Sequence, residues 1–334
     1  MIVTRTPFRV TLGGGGTDLP SYYQTRGGFI FAMGIDKYMY VMLNPPTVDN
    51  RILLHYSQSE VVNHVSELKH DLAREALSHH GVHERMEISS IADLPAGTGV
   101  GSSSCYLVGL LTALHHYRRD YVSLHALAEE ACYIELGVLK KGIGKQDQYM
   151  AAFGGLTVLE IGTDGSVKDR SVQLGSGSIA ALVANTHIYY TGSRRNTLEM
   201  LVDQDTAMQS SKNPRRQQVE ESLDRIKDLG YRILEAIEQE DYDQWGRLLD
   251  EHWQQKKRLS DKISLTMVDR VYDEVRQHYG VLGGKIIGAG GGGFLMLYCP
   301  RNHKRLEQFM LERGMPRLHY TVEPEGSKVV ANLA

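Results

Sequence analysis

Hydrophobic and polar positions change period several times along this chain, and each change marks an element. Alternating β-forming residues fill 29–43 and stop at Pro45-Pro46, as strands of an N-terminal sheet would. Over 61–80 the apolar residues Val62, Val65, Leu68, Leu72 and Leu77 follow helical spacing. From 86 the order predicted is strand (86–90), glycine-rich loop (94–101), helix (102–117), then a second helix capped by Ser123 and reaching Gly137. Residues 156–161 and 166–172 flank Thr163-Asp164-Gly165 and read as a hairpin.

The second half differs. Val219, Leu223, Ile226, Leu229, Ile233 and Ile237 form one apolar helical stripe, and 265–279 carries another. After Gly280 the pattern is strand (285–287), glycine run, strand (294–298), helix (303–314) and strand (317–322), a compact α+β module. A boundary falls within 175–195, and the expected division is 1–180 and 181–334.

Composition narrows the function classes. At 334 residues, with 42% hydrophobic and 23% charged residues, the chain can bury a large core and is neither disordered nor fibrous. A net charge of −3 offers no general attraction to nucleic acid or acidic membranes. Cys105, Cys132 and Cys299 lie far apart without CxxC spacing, so no zinc site or disulfide framework is expected and a reducing cytoplasm fits. No basic-then-apolar leader and no long apolar run occurs, so neither export nor membrane spanning is expected. The unusual count is 34 glycines, and they cluster in loops.

Three loops carry candidate chemistry. Pro95-Ala96-Gly97-Thr98-Gly99-Val100-Gly101-Ser102-Ser103-Ser104 lies between a strand and an apolar helix, where backbone N–H groups and the helix dipole converge on an anion. The serine hydroxyls add ligands for phosphate or Mg²⁺. No Gly-x4-Gly-Lys-Ser/Thr string is present, so this is not a Walker loop. Gly288-Ala289-Gly290-Gly291-Gly292-Gly293 contains GxGxxG but precedes a strand-like run, which argues against a dinucleotide fold and for a tight turn near a ligand. Gly13-Gly14-Gly15-Gly16-Thr17-Asp18 follows a strand at 8–12 that contains Arg9.

These loops, in this order, resemble the three motifs of the GHMP kinases, the superfamily of galactokinase, homoserine kinase and mevalonate kinase, over nearly the whole chain. The resemblance implies two α+β domains, an N-terminal mixed α/β domain and a ferredoxin-like C-terminal one, with the site between them. It implies ATP and Mg²⁺ as cofactors, with phosphate bound by Pro95, Gly97, Gly99, Gly101, Ser102, Ser103 and Ser104. The family's catalytic aspartate falls on Asp147 in Gly144-Lys145-Gln146-Asp147-Gln148-Tyr149, with Arg9 as its basic neighbour, and the metal ligands on Ser103 and Glu135. Phosphoryl transfer needs such groups because it is mostly positioning and charge stabilisation. Asp147 would orient or deprotonate the attacking hydroxyl, while the permanently charged Arg9 would pair with it.

Many hexose kinases of the family carry Glu-His where Gly15 and Gly16 stand here, so a different acceptor is expected. Gly14, Gly15, Gly16, Thr17, Asp18, Gly290 and Gly291 are its expected binding residues. The first-loop and Asp147 segments, with Tyr190-Thr191-Gly192-Ser193-Arg194, look most like the D-glycero-D-manno-heptose 7-phosphate kinases, which make the 1,7-bisphosphate on the way to nucleotide-activated heptose for surface polysaccharide. A phosphorylated acceptor needs cations, for which Lys145, Arg194 and Arg195 are the candidates. The expected enzyme acts on a sugar phosphate and ATP as a monomer or homodimer, without nucleic-acid or membrane partners. Kinases of unphosphorylated sugars, resembling fucokinase or galactokinase, and a catalytically silent sugar sensor of the same fold are the alternatives.

Overall fold

The computed structural model describes residues 1–193, 197–209 and 213–333. Its first sheet rests on a long antiparallel pair, β1 (Ile2–Gly14) and β2 (Gly28–Asn44), joined through helix α1 (Pro20–Arg26). β2 is 17 residues long, enough for its second edge to serve two partners in turn. Its first half pairs with β6 (Leu156–Ile161) and its second with β5 (Met86–Ala92). β3 (Ile52–His55) lies parallel to β5 and antiparallel to β4 (Ser59–Val62), while β7 (Val167–Ser171) closes the expected hairpin with β6.

Helices cover both faces of the β1–β2 pair, which is why residues 28–35 are buried without alternation. On one side α3 (Ser102–Arg118) and α5 (Gln146–Phe153) pack against it, with α2 (Asp71–His79) and α4 (Leu124–Cys132) outside them. On the other lies α8 (Arg216–Glu238), whose predicted stripe from Val219 to Ile237 is buried.

The second sheet has β8 (Thr186–Tyr190), β9 (Gly283–Ile286), β10 (Phe294–Tyr298) and β11 (Arg317–Leu318) in the order β11-β8-β10-β9, all antiparallel. That is the ferredoxin-like arrangement, with α7 (Thr197–Gln209), α8, α9 (Tyr242–Lys257) and α10 (Thr266–His278) between its first two strands and α11 (His303–Glu312) before its last. A short helix, α6 (Ser176–Asn185), precedes it, and the final strand, β12 (Lys328–Asn332), crosses back to pair with β1. The three cysteines are buried free thiols. Among the described residues no helix is long and apolar enough to cross a membrane.

The helix expected over 61–80 is shorter. Residues 59–62 are strand, Val65–Glu67 is one 3₁₀ turn, and helix begins only at Asp71. Capping explains the break: Glu60 accepts the backbone N–H groups of Lys69 and His70, at 2.6 and 3.1 Å, and His70 Nδ1 accepts that of Ala73. Those donors are satisfied outside any continuous helix. The expected strand at 317–322 shortens to Arg317–Leu318. The sequence reading assigned no element to α9, although its buried face, Trp245, Leu248, Leu249, His252, Trp253 and Lys256, has helical spacing; two histidine and lysine positions on that face hid the stripe.

The first glycine loop is placed by a backbone contact between α8 and β1. A Cβ on Gly230 would stand 2.9 Å from Gly14 N and 2.7 Å from a ring carbon of Phe29, and one on Gly13 would stand 3.1 Å from Gly230 Cα. Alanine in a helix interior ordinarily gains ~1 kcal/mol over glycine, but here overpacking should reverse the sign. Gly230→Ala is expected to lower stability by about 1–3 kcal/mol in urea unfolding; a gain would show that α8 and β1 are not in contact.

Candidate active site

Three segments distant in sequence meet at Arg9, which is 4% exposed. Its Nε donates to Asp147 Oδ1 at 2.8 Å, its Nη2 stands 2.6 Å from the same oxygen, and its Nη1 donates to Gly99 O at 2.5 Å. Asp147 sits in the first turn of α5, where the helix dipole favours a carboxylate. Gln146 carries the network outward: its amide donates to Asp147 Oδ1 at 3.1 Å and accepts from Thr11 Oγ1 at 2.8 Å.

Asp18 is held by backbone donors, Gln146 N at 3.1 Å and Gly16 N at 3.2 Å. Its carboxyl is raised above the usual range because burial outweighs those bonds. It fits only because residue 144 is glycine, where any Cβ would collide with the carboxylate.

In the expected phosphate loop Gly97, Gly99 and Gly101 have φ of 77°, 80° and 85°, so alternate residues are left-handed, which favours glycine. Gly101 is also the N-cap of the 17-residue α3. Pro95, Gly97, Gly99, Gly101, Ser102 and Ser103 line the wall of a cavity of about 740 Å³ together with Gly14, Gly15, Gly16, Asp18, Arg9 and Asp147.

Glu135 stands behind this wall. It lies in a π-helical turn (Tyr133–Val138), fully buried, with Oε2 accepting Ser104 Oγ and Gln148 Nε2, both at 2.6 Å. Its Oε1 is buried without a hydrogen-bond partner, as is Ser102 Oγ. Burial is the main cause raising the Glu135 carboxyl, against the bond from Ser104 and the charge of Lys141.

Several expected contacts are not made. Ser104 is buried and spends its hydroxyl on Glu135 instead of facing the cavity. Lys145 does not reach the cavity, because its ammonium donates to both oxygens of Glu129, at 2.8 and 3.1 Å, and to Gly165 O at 2.8 Å. Thr17 is buried, bonded through Oγ1 to both Phe29 O and Phe29 N, and locks α1's approach to β2. Gly290 and Gly291 serve packing: Gly291 N donates to Ile263 O at 2.7 Å and a Cβ on Gly290 would press on Ile263. The third loop reaches the cavity through Gly288 and Ala289. Arg194 and Arg195 lie outside the described residues.

In place of Lys145 the cavity has cations that the sequence reading did not select. Lys256 of α9 donates to Ile286 O at 3.2 Å and also to Gly288 O, and Lys285 of β9 donates to Leu12 O at 3.2 Å. His252, one turn before Lys256, bonds Gly14 O through Nε2 at 2.6 Å. All three line the cavity. Burial, with Arg9 nearby, brings the Lys256 ammonium down to about 7, and burial beside Lys256 and Arg9 brings Lys285 well below its ordinary value. The available signal was i, i+4 spacing of His252 and Lys256 on an otherwise apolar helix face.

A glycine-rich loop at a helix start, bonded to a carboxylate–guanidinium pair beside a cavity lined by buried cations, fits a phosphotransferase acting on small molecules. Residues 63–155 match the family described as GHMP kinases N terminal domain, and 233–314 that described as GHMP kinases C terminal. The chain belongs to the GHMP kinases, ATP-dependent enzymes with an alcohol group as acceptor. The D-glycero-alpha-D-manno-heptose 7-phosphate kinase of Campylobacter jejuni is 25% identical over 323 residues, 91% of each chain. The L-fucokinase/L-fucose-1-P guanylyltransferase of Bacteroides fragilis is 25% identical over 373 residues, covering 97% of this chain and 38% of that one. The crystal structure of a D-glycero-D-manno-heptose 1-phosphate kinase from Bacteroides thetaiotaomicron shares the fold, with a TM-score of 0.81 at 21% identity over 100% of both chains.

Lys256 gives a test by linkage. Its folded value, about 7, lies below that of an unfolded lysine, so between them the unfolded chain binds more protons and stability rises with pH. The stability of the wild type relative to Lys256→Met should therefore climb from about pH 7 to about pH 10, with a slope approaching about 1.4 kcal/mol per unit. A flat difference in pH-resolved urea unfolding would place Lys256 in water.

Proposed function

We propose that this enzyme transfers the γ-phosphoryl group of ATP to the anomeric hydroxyl of D-glycero-D-manno-heptose 7-phosphate, yielding the 1,7-bisphosphate for nucleotide-activated heptose. The observation that carries the reading is the pair of buried lysines, Lys256 and Lys285, that line the same cavity as the 97–103 loop. One phosphate-binding loop accounts for ATP; a second set of desolvated cations suits a second phosphate, on the acceptor. The relative from Campylobacter jejuni supports the same substrate.

In this reading the N–H groups of 97–103 hold the nucleotide phosphates, and the apolar end of the cavity, with Tyr56, Leu72 and Leu94, takes the base. Asp147 receives the proton of the attacking hydroxyl while Arg9 fixes the carboxylate and faces the charge that develops on the transferred group. Asp18 and the N–H groups of the first glycine loop hold sugar hydroxyls. The unpartnered Glu135 Oε1 and the hydroxyl of Ser103 are oxygen donors of the kind a hard divalent cation takes. Bound there, Mg²⁺ would neutralise charge on the β- and γ-phosphates.

The decisive assay is ADP release with Mg-ATP on heptose 7-phosphate, free heptose, mannose, galactose and fucose, with phosphorus NMR of the product. A bisphosphate from the 7-phosphate alone is expected. Turnover of fucose or another plain sugar alone would replace this acceptor with an unphosphorylated one, as the Bacteroides fragilis relative suggests. Asp147→Asn should lose about 10²-fold or more in kcat with ATP affinity retained in a binding titration; an unchanged kcat would remove Asp147 from the proton transfer.

A further inference from the structure

At the far end of the same helices lies a second cluster of polar groups that phosphoryl transfer does not use. His115, in the last turn of α3, is about 20 Å along the helix from Ser102 at 1.5 Å per residue. Its Nε2 stands 2.7 Å from Glu130 Oε2, while Nε2 of His80, the C-cap of α2, stands 2.9 Å from Glu130 Oε1. The ligand atoms of His80, His115 and Glu130 all lie within 4.8 Å of one another. His79 Nε2 adds a third imidazole, 3.4 Å from the same Oε1.

We propose that His80, His115 and Glu130, with the more exposed His79 available as a fourth ligand, form a binding site for a divalent transition metal of the zinc class. Imidazole nitrogens with a carboxylate are donors that Zn²⁺ takes, and bonds of ~2.0–2.1 Å put tetrahedral ligand atoms about 3.3 Å apart, a spacing within reach of atoms that all lie within 4.8 Å of one another. The field favours a cation as well. The C-terminal ends of α2 and α3 both meet at the cluster, with His79 and His115 in their last turns, so the negative ends of two helix dipoles point at it.

The carboxylate is available as a ligand. Both oxygens of Glu130 already face imidazole nitrogens, Oε2 that of His115 and Oε1 those of His80 and His79. Hydrogen bonding alone leaves the cluster incomplete, since His115 Nδ1 is buried without a partner. The nearest guanidinium, Arg118, is engaged with His80 O at 2.6 Å and Asp120 at 3.0 Å. A metal here would cross-link α2, α3 and α4; α3 begins at the glycine-rich loop at its other end, and α4 runs on from Glu130 directly into the Glu135 turn. Its effect is on stability, and the chemistry proceeds without it.

The test uses untagged full-length protein, stripped with a chelator and kept in excess Mg²⁺ so that Zn²⁺ does not report on the nucleotide site. One equivalent of Zn²⁺ should bind and raise the melting temperature by about 5 °C at a hundredfold excess over Kd. Co²⁺ should give the visible d–d bands of a tetrahedral nitrogen–oxygen site. His115→Ala should weaken Zn²⁺ binding at least about tenfold and abolish the melting shift, with turnover in Mg-ATP unchanged. Binding unaltered in His115→Ala overturns the assignment. Should that variant not fold, the wild-type Co²⁺ spectrum decides: octahedral, water-like bands overturn the site and tetrahedral bands support it.

Discussion

A single buried guanidinium joins the parts of this enzyme that do chemistry. Arg9 belongs to β1, yet its donors end on Gly99 of the phosphate loop and on Asp147 of α5, segments ninety and more residues away. A charge this deep is tolerated only when its hydrogen bonds are complete, so the loop and the helix must both be in place for β1 to keep its position. The remaining loop is tied in by backbone contact. A Cβ on Gly99 would lie 2.7 Å from Ile287 O, and one on Gly288 would lie 2.5 Å from Gly99 O. The glycines of the second and third loops thus remove side chains where two backbones must touch, and one of these loops comes from each sheet.

The same packing creates an electrostatic imbalance. Arg9, Lys256 and Lys285 share one cavity in which Asp147 and Asp18 are the carboxylates on the wall. Desolvation weakens the charged forms of both lysines, so the free protein bears a cost that an anionic ligand can relieve. Lys256 and Lys285 belong to α9 and β9 in the second sheet's layer, while the glycine loop at 97–101 belongs to the first, so residues of both layers line the cavity.

That the glycine-rich loops, Arg9, Asp18 and Asp147 line one cavity was expected from local pattern: glycines alternating at 97, 99 and 101 before an apolar helix, or an aspartate at a helix start. Misreadings came from side chains whose partners are distant. Lys145 looks like an acceptor ligand beside Asp147, but Glu129 on the preceding helix captures it. Ser104 looks like one more hydroxyl on a phosphate loop, but α3 turns it inward to Glu135. Lys256 and Lys285 were not among the residues selected from the sequence, and only α9 and β9 bring them to a common cavity.

By itself, then, the sequence determined the type of many elements and the positions of the glycine-rich loops, since period, capping and glycine placement act over a few residues, while α9 and the strand before α2 escaped it. It also determined the kinase class, through three loops in a fixed order. Only the tertiary structure decided that Lys256 and Lys285 line the cavity and Lys145 does not, that Gly291 packs on Ile263, and that β12 returns to β1. Those outcomes depend on burial and on contacts between different elements, and neither quantity is encoded in any local stretch of the chain.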